Sequence, residues 1–154
     1  MSQFLRPVRA SDLTAVAKNM RHADRQECRA AAGMSPELAL FLSVETSSEA
    51  YTLVSPEGEP VGVCGLSPGN TERDRLVWML ATDGLLQHSR LFLRESRVWV
   101  DSHAQRYVLW NYVDARNTVH IRWLKWLGAT FHGAKTSPYT GTPLLHFTKV
   151  NKCA

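Results

Sequence analysis

The feature that most constrains this chain is the run from Leu109 to Phe131. An apolar strand, Leu109-Trp-Asn-Tyr-Val, leads through Asp114-Ala-Arg to Asn117. A helix-period stretch, Ile121-Arg-Trp-Leu-Lys-Trp-Leu, then ends on Gly128 and is followed by Ala-Thr-Phe131. Asn is a strong N-cap. Ile121 and Leu124 fall on one helix face, and Gly supplies the left-handed stop that other residues resist. A strand, a capped helix and a second strand in about two dozen residues require a mixed α/β architecture.

The rest of the chain is consistent with that class. A strand is expected over 4–8. Ser11 is placed to cap a first helix, with Leu13, Val16, Ala17 and Met20 on one buried face. A polar helix over 23–32 stops at Gly33. Ser35-Pro36-Glu37 opens a third, with Leu38, Phe41 and Leu42 as its apolar stripe. Strands follow over 51–55 and 61–66 around the turn Pro56-Glu57-Gly58-Glu59. A polar loop at 67–74 precedes a mostly apolar strand over 76–82, suited to the middle of a sheet. A long helix over 87–102 leads to strand 106–113. Strands 129–132 and 144–150 close the chain around a turn-rich loop. The strand–helix–strand run at the centre implies parallel pairing with a right-handed crossover.

At 154 residues with 44% apolar content, the expectation is one domain, 1–154, with a core that needs no staples. Cys28, Cys64 and Cys153 are odd in number and widely spaced, which argues against a disulfide framework and for a reducing compartment. No apolar run is long enough for a membrane span, and the N-terminus lacks a signal-peptide core. The net charge of +4, with thirteen of eighteen basic residues Arg, suits an anionic partner without diagnosing one. Six His and three Cys are scattered without zinc spacing, so no metal site is expected.

The element order, with Asn117, Ile121, Leu127 and Gly128 in their places, resembles the GCN5-related N-acetyltransferase (GNAT) fold over nearly the whole chain. That resemblance implies a central mixed sheet of six to seven strands with helices on both faces. A narrower likeness rests on Met20-Arg21-x-x-Asp24-x-x-Glu27, Trp78-Met-Leu-Ala-Thr82 and Phe92-Leu-Arg94. These look like small GNAT-like proteins of short-tailed phages, the internal virion protein A-like family linked to virion assembly.

The GNAT likeness also says where acetyl-CoA would sit. Its pattern is Gln/Arg-x-x-Gly-x-Gly/Ala after the central strand, where backbone N–H groups close on the pyrophosphate. The matching stretch here runs from Thr82 to Arg90, with Gly84 its single and early glycine and Asp83 an anion beside the phosphates. The candidate cofactor residues are therefore Thr82, Asp83, Gly84, Arg90 and Asn117. The expectation is no cofactor, with acetyl-CoA the ligand if the chain is active. The Tyr that many members use as an acid corresponds to Leu124, so no catalytic residue is assigned. His120 shares the buried face with Leu124, as acid–base group or as structural residue. Asp24 and Glu27, in this fold beside the acceptor groove, can bind a substrate with Arg21 and Arg25 or serve as surface pairs, the simpler expectation.

Two surfaces stand out. Arg90, Arg94, Arg97 and Asp101 lie opposite Phe92, Ser96 and Trp99 on the long helix, and Trp126 points outward beside Arg122. The first reading is a phage-type assembly or virion-associated protein, in host cytoplasm and virion, working through contacts with a phage or host protein. The second is an N-acetyltransferase on an amine. A host-directed effector binding an enzyme or nucleic acid comes third; nucleic acid is not favoured.

Overall fold

The alternation of apolar and polar residues resolves into one seven-stranded sheet in the computed structural model, which describes residues 3–151. The elements run β1 (Leu5–Pro7), α1 (Ala10–Lys18), α2 (His22–Ala32), α3 (Pro36–Thr46), β2 (Glu49–Val54), β3 (Pro60–Pro68) and β4 (Asp74–Ala81). After a 3-10 turn (Asp83–His88) come α4 (Ser89–Ala104), β5 (Val108–Asp114), α5 (Thr118–Trp126), β6 (Thr130–Thr136) and β7 (Pro143–Lys149). The strand order is β1-β2-β3-β4-β5-β7-β6. Among the described residues only β4 and β5 pair in parallel, as the crossover through α4 requires.

Successive residues of the central strands feed opposite layers. Val63 and Leu80 pack with Val16, Ala17, Met20 and Leu40 under α1, α2 and α3. Their neighbours Cys64 and Ala81 pack on the other side with Leu85 and Phe92, and Leu66 joins Val100, Leu109 and Leu127 under α4 and α5. The helices therefore cover both faces, the arrangement expected from the element order. Gly33 and Gly128 terminate α2 and α5 with φ of 64° and 85°, so the two stops read from the sequence are left-handed turns.

Three local expectations need correction. Ser11 does not cap α1: the helix begins at Ala10, and Asp12 in its first turn accepts from the N–H of Arg9 at 2.8 Å. Asp12 is buried and also takes a bidentate pair from Arg6 and a hydroxyl from Thr52, which holds its carboxyl down at about 2. On α3, the buried face is Pro36, Ala39 and Leu40, whereas Leu38 and Phe41 stand out from the surface. The helix expected over 87–102 begins two residues later, because residues 83–88 wind into the tighter 3-10 form. Cys153 lies outside the described residues, and Cys28 and Cys64 are buried free thiols.

Candidate functional site

Where β4 and β5 separate, the sheet has a gap that side chains fill. The two strands pair only from Asp74–Val108 to Leu76–Trp110 and then diverge. Divergence strands the inward-facing peptide groups of both strands, and each must find another partner. Asn111 spans the start of the gap: its Nδ2 donates to the Val77 carbonyl at 2.8 Å, and its Oδ1 accepts from the Tyr112 N–H at 2.7 Å. Farther along, Asp24 Oδ2 accepts from the Ala81 N–H at 2.9 Å, while the Arg21 N–H donates to the Ala81 carbonyl at 2.9 Å. On the β5 side, Glu27 Oε1 accepts from the Asp114 N–H at 3.2 Å. The acids of α2 thus bridge the opened sheet.

This overturns the surface-pair expectation for Asp24 and Glu27. Asp24 is buried, and Arg21, also buried, lies 3.8 Å from it. Burial raises the Asp24 carboxyl to about 6 even with the Arg21 charge nearby. Glu27 rises further, to about 8, through burial and the neighbouring Asp24 charge. Arg25 is spent on structure, its guanidinium donating to the carbonyls of Ala17, Lys18 and Met20 at the end of α1.

The last helix completes the cluster. Asn117 caps α5 by accepting from the His120 N–H at 3.3 Å, and its Nδ2 donates to Glu27 at 3.1 Å. His120 places Nδ1 3.8 Å from the same Glu27 oxygen, and burial pushes its ring down to about 4. At neutral pH the pair is therefore a protonated carboxyl beside a neutral imidazole. Glu27 is mostly occupied by a proton near neutrality and is a poor acceptor for one from an amine, and His120 is too weak a base to take it well. Leu124 is buried in the core with Val113 and Phe147. Asn117→Ala, losing both the cap and the grip on Glu27, should cost about 2 kcal/mol in a urea unfolding curve.

Of the five residues singled out as cofactor candidates, four lie together. Thr82 caps the 3-10 turn: its Oγ1 accepts from the Gly84 N–H at 3.2 Å and its carbonyl accepts from the Leu85 N–H at 3.2 Å. Two amides that would face a diphosphate are thus already engaged. Asp83 is exposed beside them, Leu85 is buried in the core with Val61 and Ala81, and Arg90 is exposed on the first turn of α4. Asn117 sits apart, committed to Glu27 and its own helix. A cavity of about 560 Å³ nonetheless opens along the gap, lined by Leu76, Trp78, Tyr112 and Trp123 with Glu27 and His120 among its polar groups.

Asn111 and Asp114 went unread in the sequence. The available signal for Asn111 was a lone amide inside an apolar strand, which must be paired when buried.

A strand pair that splays at its centre, with helices on both faces, is the GNAT arrangement, and solved acetyltransferases of that fold match over 94–97% of this chain. A GNAT-family acetyltransferase from Bacillus anthracis matches with a TM-score of 0.73 at 11% identity, covering 97% of this chain and 96% of that one. The spermidine N-acetyltransferase of Vibrio cholerae, in complex with CoA and spermine, matches at 0.66 and 8% identity over 94% and 93%. The ribosomal-protein-S18-alanine N-acetyltransferase of Escherichia coli matches at 0.64 and 15% over 97% and 95%.

Sequence narrows the class further. A family model described as bacteriophage T7 probable scaffold protein Gp13 matches residues 61–136. The probable scaffold protein gp13 of Escherichia phage T7 is 33% identical over 132 residues, spanning 83% of this chain and 85% of that protein. The chain belongs to the gp13 family. Among the described residues no helix is long and apolar enough to cross a membrane.

Proposed function

We propose that this chain works in phage particle assembly by protein contact, on a GNAT fold whose acetyl-transfer chemistry has been lost. The kinship with gp13 across most of both chains carries this reading, since that protein is described as a probable scaffold. Three features of the site support it. Thr82 occupies amides that would grip a diphosphate. Leu124 stands where a proton donor is expected. Glu27 is held largely protonated, and His120, although neutral, is too weak a base for an amine proton. In this reading the chain acts in the host cytoplasm, during assembly or inside the particle, against a phage or host protein.

The cavity along the gap favours a second reading, an N-acetyltransferase using acetyl-CoA, because its apolar walls would suit an acyl arm. Calorimetry separates the two. Titration with acetyl-CoA is expected to give no saturable heat, and mass spectrometry is expected to find the chain in particles or their assembly intermediates. Micromolar binding abolished by Gly84→Asp, with the chain absent from every assembly species, would overturn the contact reading.

A further inference from the structure

Two exposed faces of this molecule carry opposite chemistry. On α3 the outward arc holds Glu37, Leu38, Phe41 and Glu45. Leu38 and Phe41 are 47% and 50% exposed, and the helix carries no basic side chain. Across the sheet, on the outer side of α4 and α5, Trp126 is 44% exposed and Val98 is 64% exposed. The Arg97 guanidinium lies 3.8 Å from the centre of the Trp126 ring and also donates to the Trp126 carbonyl. Trp126 thus has Arg97 of the other helix stacked on it, in addition to Arg122 one turn back on its own helix. Arg94 and Arg122 are exposed on the same layer. Arg94 also pairs with Glu95 at 3.6 Å, and an exposed indole stacked by an arginine is typical of the energetic centre of an interface.

We infer that the acidic, apolar face of α3 on one copy docks on the arginine–tryptophan face of α4 and α5 on a second copy, joining chains head to tail. One chain carries both halves of the contact: acids beside two exposed apolar side chains, and arginines beside an exposed indole. Like faces brought together would oppose glutamate with glutamate, or arginine with arginine, which disfavours a two-fold dimer through either surface. Because α3 lies on one side of the sheet and α4 and α5 on the other, the contact is heterologous. Each added copy leaves one face of each kind free, so association continues into chains or rings rather than stopping at two. The inference goes beyond the assembly role and stands or falls without it.

Sedimentation velocity on the full chain tests it. At low salt the mean mass should climb with concentration past that of a dimer, and at high salt it should return to the monomer. Phe41→Arg and Trp126→Glu should each remain monomeric at low salt. An equimolar mixture of these two variants should give a one-to-one dimer and nothing larger, because each supplies the face the other lacks. If either charge-bearing variant loses its native melting transition, Phe41→Ser and Trp126→Gln replace them with the same expectations. A wild type that is monomeric at every concentration, a dimer that never grows, or variants whose mixture stays monomeric would each overturn the inference. So would a monomer that binds a DNA duplex through Arg94, which would assign the basic face to nucleic acid.

Discussion

Asp24→Ala is expected to cost about 3 kcal/mol, the largest loss from any single truncation at the site, read as a lower midpoint in urea with an unchanged slope. The cost has two sources. The Arg21 guanidinium, whose side chain is 9% exposed, loses the carboxylate that balances it. The Ala81 N–H, at the end of β4 and already beyond its pairing with β5, loses its acceptor. An unpaired buried charge and an unpaired buried amide are each costlier than the net worth of the bonds that satisfied them. Asp24→Asn keeps an acceptor for Ala81 and removes only the charge, so it should recover about half of the loss. Wild-type stability in Asp24→Ala would mean that water reaches both groups, and that α2 does not hold the gap closed.

The placement of Asp24 shows why the fold was more legible than the site. Gly33, Gly128, Asn117 and the Ser35-Pro36 pair announce their roles locally, through left-handed φ, capping and helix starts, and each is found in that role. Asp24 and Glu27 sit in His-Ala-Asp-Arg-Gln-Glu, a run whose polarity suits a solvated helix. What buries them is the divergence of β4 from β5, a tertiary event that creates amides in need of acceptors and leaves no mark in α2 itself. The phase of α3 failed for a related reason. Leu38, Ala39, Leu40, Phe41 and Leu42 are apolar all round, so no moment selects a face, and contact with α1 and β3 decides it.

The same acids belong to a network that runs along the gap. A GNAT-like gap remains open enough to leave a cavity, yet the groups along it are bound to one another. Asn111 serves Val77 and Tyr112, Asp24 serves Ala81, and Glu27 serves Asp114 and Asn117. Polar side chains thus complete the broken sheet, while Thr82 caps the turn after β4 and Leu85 is buried beneath it. The proposed contact role requires no more of the interior than this.

Glu27→Gln is expected to remove an alkaline loss of stability that the wild type shows. The sign follows from the direction of the shift. Burial and the Asp24 charge raise the Glu27 carboxyl in the folded state to about 8, far above its ordinary value near 4.5. The folded chain therefore holds a proton that the unfolded chain releases. Its contribution is fully present below about pH 4.5 and is lost as the pH climbs through about 8. Asp24, raised to about 6, adds a smaller loss at lower pH. His120 acts in the opposite sense: held down to about 4, it favours the folded state increasingly as pH rises from about 4 to its ordinary 6.5. The two raised carboxyls together outweigh His120, so the wild type should be most stable at about pH 4 and should lose about 2 kcal/mol between pH 6.5 and 8.5, allowing for water reaching a side chain that is 15% exposed. Glu27→Gln preserves the acceptor for the Asp114 and Asn117 donors without a titrating group, so its thermal midpoint should stay flat over the same range. The buried Cys28 and Cys64 thiols, both pushed up to about 12, begin to cost stability only above their ordinary value near 9, outside that window. Asp24→Asn supplies the control, since removing the charge that helps raise Glu27 should shrink the alkaline loss without abolishing it. Parallel midpoints for wild type and Glu27→Gln from pH 6.5 to 8.5 would show that Glu27 is ionised throughout, restoring it as a candidate base for an amine.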